Sequence, residues 1–279
     1  MLKPIKKLLQ ENLNELSKKD LLLLPSSYQK IGNIVIVNLN KELWKYDRKI
    51  GIIILENIPD TKTVCRRTGF IIGRTRRPQV KVIAGEKNTG TVHKEHGISY
   101  KIDANEIMFS KGNLNERNRL TKLVGRNEII VDMFAGIGYF SLPLAKYSQP
   151  KKVYAIEINP DAYRYLNENI KLNKVGNNVI PVLGDCLIEV AKLGRIADRV
   201  LMGLLPSSKE YLMDAMKVVK KNGIIHYHGV AKENEWKQLF DDIKVAAELY
   251  GFEVKLLKKT KVKSYAPKVY HWVLDCRIF

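Results

Sequence analysis

Val131-Asp132-Met133-Phe134-Ala135-Gly136-Ile137-Gly138-Tyr139-Phe140 is an apolar strand that runs into a Gly-x-Gly turn and then a helix-sized segment. Glycine is needed where a backbone turns tightly and a ligand approaches without a Cβ in its way, and Gly136 and Gly138 fit that need. Position 141 is Ser, so the third glycine of the dinucleotide fingerprint is missing and the turn is not shaped for a pyrophosphate. A smaller, cationic nucleoside fits better. Further along, Glu157-Ile158 closes the apolar run from Val153, at about the spacing where such folds bind ribose hydroxyls. A third strand end gives Gly184-Asp185-Cys186. Alone, a Gly-x-Gly is a tight turn and an acid after a strand is a helix cap. Together they point to a nucleoside site.

Outward from this stretch, strand-sized apolar runs at 128–133, 153–158, 178–183, 198–204 and 223–228 alternate with helix-sized segments. That rhythm predicts a parallel sheet with helical crossovers. The last part differs. Phe252–Lys263 and Val269–Phe279, joined through Ser264-Tyr265-Ala266-Pro267-Lys268, predict two strands that give the sheet an antiparallel edge pair. Upstream, Leu8, Leu9, Leu13 and Leu16 predict a helical opening over residues 1 to 24, ended by Pro25. Runs such as 33–37 and Gly51-Ile52-Ile53-Ile54-Leu55 read as strands of a small α+β unit. The expected division is a small domain over 1–108 and a catalytic domain over 109–279.

The formal charge is +19, which predicts a polyanionic partner more than it predicts a fold. Residues 61–120 hold 13 Lys and Arg against 5 Asp and Glu, and the cluster Arg66, Arg67, Arg74, Arg76 and Arg77 is arginine-rich. The planar guanidinium suits phosphate, so these five arginines are the candidate RNA contacts. A basic, solvated surface is the plainer alternative. Cys65, Cys186 and Cys276 are scattered singly, which argues against a disulfide framework, a zinc site or an iron–sulfur cluster; no metal is expected. No apolar run approaches the roughly 18 residues of a membrane span, and no apolar stretch follows the basic start. A cytoplasmic protein away from membranes is expected.

Phe109-Ser110-Lys111-Gly112-Asn113-Leu114-Asn115-Glu116-Arg117-Asn118-Arg119, with Thr91 to Gly97, Asp132 to Gly138 and Asn169 to Val175, resembles the enzymes that modify guanosine-37 beside the tRNA anticodon. The similarity runs from about residue 60 to the end. It implies an α/β class I S-adenosylmethionine (AdoMet) fold, Rossmann-like, with an antiparallel C-terminal edge pair and a smaller α+β domain before it. In that fold Asp132, Phe134, Gly136 and Gly138 border the methionine half of AdoMet. Glu157 and Ile158 hold the ribose, and Asp185 and Cys186 border the adenine. Two branches share the pattern. One methylates N1 of guanosine-37; the other belongs to wybutosine biosynthesis and moves the 3-amino-3-carboxypropyl group of AdoMet to a tricyclic guanine derivative, leaving methylthioadenosine.

The branches part at Met202-Gly203-Leu204-Leu205-Pro206. Methyltransferases carry Asn-Leu-Pro at this strand end; here Gly203 replaces the Asn and the proline is displaced by one. Gly112-Asn113, where methyltransferases tend to carry Pro-Arg, points the same way. The resemblance therefore implies aminocarboxypropyl transfer, with N1-methylation as the rival and a non-catalytic RNA-binding module as the second rival. The product depends on which carbon of the sulfonium faces the nucleophile in line. Arg117 is the candidate to hold the turned-out carboxylate, bidentately, with Ser110 adding a hydroxyl bond and Pro206 beside the target base. No general base stands out. His226 and His228 alternate to one face of a strand and read as either site or structural histidines, while His93 and His96 are expected to meet RNA or solvent.

Overall fold

Leu9 and Leu13 reach the core of the first part of the chain, but through two short helices rather than one. Helix α1 (Ile5–Asn12) ends before Leu13, and α2 (Lys18–Leu22) starts afresh at Ser17, whose Oγ accepts from the Asp20 N–H at 3.1 Å. The structure is a computed structural model describing residues 3–69, 73, 76–110 and 113–279. The chain divides into two units, Met1–Phe109 and Ser110–Phe279.

In the first unit, β1 (Tyr28–Ile31) and β2 (Ile34–Val37) form a hairpin. Helix α3 (Asp47–Asn57) follows, then β3 (Thr63–Arg67) and β4 (Val80–Gly85). The sheet order is β1-β2-β3-β4, with β2 and β3 parallel and the other pairs antiparallel. A second hairpin pairs β5 (Gly90–Glu95) with β6 (Ile98–Asp103). The run 51–55, expected as a strand, lies inside α3. The buried positions of α3, Ile50, Gly51 and Ile54, lie on one helical face, and Ile52 faces out. Gly51 is the reason the helix can lie so close: a Cβ there would stand 2.8 Å from the Ala84 Cβ on β4. An all-apolar pentapeptide does not distinguish strand from buried helix by itself.

The second unit opens with α4 (Leu114–Leu123) and continues β7 (Ile129–Asp132), α5 (Ser141–Tyr147), β8 (Lys152–Glu157), α6 (Pro160–Leu172), β9 (Val179–Leu183), α7 (Cys186–Leu193), β10 (Ala197–Met202), α8 (Leu212–Val218) and β11 (Val219–Lys232). Then come α9 (Lys237–Glu248), β12 (Val254–Ala266) and β13 (Val269–Ile278). The seven strands stand in the order β12-β13-β11-β10-β7-β8-β9. Strands β11, β10, β7, β8 and β9 are parallel neighbours, and β13 and β12 add antiparallel at the edge. The expected α/β sheet with an antiparallel edge pair is thus present. Val131, Val200, Ile225, Tyr227 and Leu274 are among the fully buried residues of its core.

The topology locates a site without any ligand. From β7 the chain builds outward through β8 and β9, then returns to the other side of β7 as β10. The order reverses between β7 and β10, and ligands of open α/β sheets bind in the crevice at the carboxyl ends of the strands that flank such a reversal. Asp132 ends β7 and Met202 ends β10.

Candidate cofactor and active site

Asp132 faces inward. Fully buried, it accepts from Ser141 Oγ at 2.7 Å and from the Phe134 N–H at 3.3 Å. Burial pushes its carboxyl up to about 6 against those bonds. It braces the turn and the start of α5. The Met133 N–H donates to Leu201 O at 3.1 Å and the Ala135 N–H to Ile156 O at 2.9 Å, which ties the turn to both neighbouring strands. Gly136 and Gly138 then take φ of 57° and 98°, where L side chains are strained. A Cβ at Gly138 would stand 2.5 Å from Leu142 Cγ. This second glycine therefore lets α5 and α6 pack close to the turn.

Glu157 closes the turn from β8. Its Oε2 accepts from the Gly136 N–H at 2.7 Å and its Oε1 from the Asn159 N–H at 2.8 Å. Each carboxylate oxygen has a second lone pair for a ligand hydroxyl. Burial raises the pKa of this carboxyl, with the backbone N–H groups opposing. Ile158 beside it is half-buried. After β9, Asp185 caps α7, accepting from the Leu187 N–H at 3.1 Å, and Cys186 is buried with its thiol pushed up to about 12 by desolvation. Cys186 is thus a neutral packing group. Gly136, Glu157 and Asp185 stand at or just after the ends of three adjacent parallel strands, spaced by about 4.8 Å each.

Arg117 supplies the cation. It lies on the first turn and a half of α4, is buried, donates through Nη2 to Ser110 O at 2.6 Å and lies over the Tyr139 ring at 4.8 Å from the centroid. Ser110 thus meets Arg117 through its carbonyl. Gly203 follows β10 with Phe140 against it; a Cβ at Gly203 would stand 3.1 Å from Phe140 Cε2. Phe134 packs edge-on against Tyr211, with 5.0 Å between ring centroids. Pro206 is exposed in the segment after β10, where Ser207 bridges to Gly229. Taken by donor type, this set offers a guanidinium, a carboxylate able to accept further hydroxyl bonds and a partly apolar third strand end. A carboxylate, a ribose and an adenine in one molecule would match it, and AdoMet has all three.

Several expected contacts are placed elsewhere. Arg66 is buried, its Nε donating to Asp47 Oδ2 at 2.7 Å and its guanidinium 3.6 Å from the Trp44 ring centroid, so its charge is committed inside the first unit and it is not an RNA contact as placed. Arg67 donates to Gln29 Oε1 at 2.9 Å and is half-buried. Arg76 is half-buried and Arg77 exposed, while Arg74 lies outside the described residues, as do Lys111 and Gly112. His93 is half-buried, accepts from the Gly32 N–H at 3.1 Å and packs on Phe109, which commits its Nδ1 to the fold. His226 and His228 are fully buried within β11, which runs on to Lys232. The sequence reading missed Tyr139, Ser141 and Asn169. Asn169 Nδ2 donates to Ile137 O at 3.2 Å, holding the turn from α6; its signal in the sequence was its place at the head of the Asn169 to Val175 motif, which gave no role for the side chain.

The switch-point crevice, the glycine turn and the acidic strand end define a class I AdoMet-type transferase fold. The chain belongs to the TRM5/TYW2 family: the TRM5/TYW2 methyltransferase domain matches residues 91–256 and the TYW2 N-terminal domain residues 5–89. A tRNA(Phe) (4-demethylwyosine(37)-C(7)) aminocarboxypropyltransferase of Methanocaldococcus jannaschii is 45% identical over 90% of this chain and 97% of its own. A tRNA (guanine(37)-N(1))-methyltransferase, Trm5b, of Pyrococcus abyssi is 40% identical over 91% of this chain and 76% of its own. The crystal structure of Pyrococcus horikoshii TYW2 in complex with MeSAdo superimposes with a TM-score of 0.83 at 36% identity, covering 99% of both chains.

Proposed function

We propose that this protein transfers the 3-amino-3-carboxypropyl group of AdoMet to a carbon of a tricyclic modified guanosine at position 37 of tRNA, in wybutosine-derivative biosynthesis. The observation that carries the choice of reaction is Gly203. At the end of β10, beside Phe140, no amide side chain is present to meet a guanine edge next to a methyl donor. The match to an aminocarboxypropyltransferase over nearly its whole length supports the same choice.

Bound AdoMet supplies a sulfonium whose attached carbons are all electrophilic, with methylthioadenosine as the leaving group when the tail's γ-carbon is attacked. The protein's part is positioning. Glu157 accepts ribose hydroxyl bonds. Arg117, anchored on Ser110 O and Tyr139, holds the tail carboxylate turned toward the base. Phe140, Gly203 and the Leu204 to Pro206 segment border the base. The proton on the attacked ring carbon leaves after attack, so a weak base or a positioned water suffices.

The tRNA partner is engaged at its anticodon region, with Arg76 and Arg77 binding phosphates there. Neutralising both should weaken tRNA binding and flatten its salt dependence by about one slope unit for each phosphate that no longer meets a guanidinium. An unchanged slope in a filter-binding titration would remove them from the interface. For the reaction itself, the test is mass spectrometry of nucleosides after incubation with AdoMet and tRNA carrying the tricyclic precursor. A gain of one aminocarboxypropyl group supports the proposal. A gain of one methyl group would instead favour the reaction of the Trm5b relative.

A further inference from the structure

Six charged or ionisable side chains form one continuous chain through the second unit. Arg119 on α4 donates through Nε and Nη2 to both oxygens of Glu116, each at 2.7 Å. The same guanidinium donates through Nη1 and Nη2 to Asp275 Oδ2 and Oδ1 on β13, at 2.6 and 2.9 Å. Asp275 meets His226 Nδ1 on β11 at 2.6 Å. His226 Nε2 meets Arg199 Nη1 on β10 at 2.8 Å, and Arg199 pairs with Glu128, just before β7, at 2.8 and 3.0 Å. Glu116, Asp275, His226 and Arg199 are all buried.

The donor inventory fixes the state of the histidine. A guanidinium only donates, so Nε2 must be the acceptor and Nδ1 carries the hydrogen that Asp275 accepts. His226 is therefore neutral and held in one tautomer, and burial lowers its pKa in agreement. Every link in the chain is directional. Burying so many charges adds little stability compared with a well-packed apolar equivalent, and what it does give is a geometry with few alternatives. The element held this way at its far end is the first turn of α4, and Glu116 is the immediate neighbour of Arg117.

We propose that Arg119, Asp275 and His226 are positioning residues for the transfer: they lock the first turn of α4 to β13, β11 and β10, and so fix where the Arg117 guanidinium stands over Tyr139. This rests on the reading that Arg117 holds the tail carboxylate. Arg119 meets four carboxylate oxygens, which no lysine ammonium with three donors can do. Loosening this lock displaces the carboxylate clamp while leaving the ribose and adenine ends of the site intact.

The test compares affinities of the full-length protein for AdoMet and for methylthioadenosine, which lacks the carboxylate, by calorimetry. Four proteins are compared: wild type, Arg117→Ala, Arg119→Lys and the double variant. Arg119→Lys should weaken AdoMet binding by about tenfold, with methylthioadenosine changed by less than about twofold, and slow transfer further, the scale of loss when reacting groups are misplaced. In the double variant the AdoMet to methylthioadenosine ratio should equal that of Arg117→Ala alone, because the two residues act through one contact. A purely structural Arg119 would lower both affinities together or shift only the melting temperature, and either result overturns the proposal. If Arg117→Ala shifts the ratio and Arg119→Lys does not, the positioning role fails while the reading of Arg117 stands. If Arg117→Ala leaves the ratio unchanged, both fail. His226→Gln, which keeps an acceptor and a donor, covers the case in which Arg119→Lys does not fold. It should shift the ratio in the same direction by a smaller factor, and no shift overturns the proposal.

Discussion

Glu157 has two tasks at the scale of one side chain. Its oxygens already accept from Gly136 and Asn159, so the carboxylate that would bind ribose also holds the glycine turn against β8. Glu157→Ala should weaken AdoMet binding by about 2 to 3 kcal/mol, the scale for hydrogen bonds to a charged group, and lower the melting temperature as the turn loses its anchor. Calorimetry showing unchanged affinity in a folded variant would remove Glu157 from the site. The glycines and this acid were legible from sequence because each marks a backbone or charge requirement at a strand end. Arg66 shows the limit of that kind of reading. A run of arginines reports charge density, but not which guanidinium is already paired; Asp47 and Trp44, nineteen or more residues away, take Arg66 out of reach through tertiary contacts alone.

Among the elements, the turn between β7 and α5 is held from four sides: by Glu157 on β8, Leu201 on β10, Ser141 on α5 and Asn169 on α6. Strain there should be costly. Gly138→Ala combines a φ of 98° with a Cβ 2.5 Å from Leu142 Cγ, and should destabilise the protein by about 2 kcal/mol or more. Gly251, at φ 69° in the turn that ends α9 and with nothing within 4 Å of its Cβ position, should cost only about 1 kcal/mol when changed to Ala. Urea unfolding of both variants checks the pair, and equal losses would mean that packing at the turn contributes nothing beyond backbone strain. The alternation of apolar runs made the parallel strands readable at this scale, with β11 longer than expected at both ends. The five-residue run 51–55 reads as a strand in the sequence because its helical face depends on Gly51 meeting Ala84, a contact with no local signal.

Across the whole molecule, the second unit buries three histidines on the neighbouring strands β11 and β13. His226 and His228 on β11 and His271 on β13 are fully buried, and burial holds all three below the ordinary value near 6.5, His271 at about 4. His228 Nδ1 lies 3.1 Å from His271 Nε2, so only one ring can place a hydrogen between them. A histidine with a depressed folded pKa leaves the unfolded chain binding more protons. Its contribution to stability is complete above about pH 6.5 and falls as pH drops below it. Asp132, raised to about 6 by burial, acts oppositely, since protonation near that pH relieves its cost. His271→Asn should therefore flatten the acid side of the stability profile between pH 7 and pH 5. Denaturant midpoints at several pH values measure it, and a slope equal to that of wild type would show that His271 does not titrate on unfolding.

The identity of the transferred group is tested most directly with AdoMet labelled in one of two positions, the methyl carbon or the carboxyl carbon of the tail, incubated with this protein and tRNA carrying the tricyclic precursor. The geometry around Arg117 and Gly203 predicts that carboxyl label enters the tRNA while methyl label stays with methylthioadenosine. Methyl label in the tRNA, with the carboxyl label left in solution, would contradict the account.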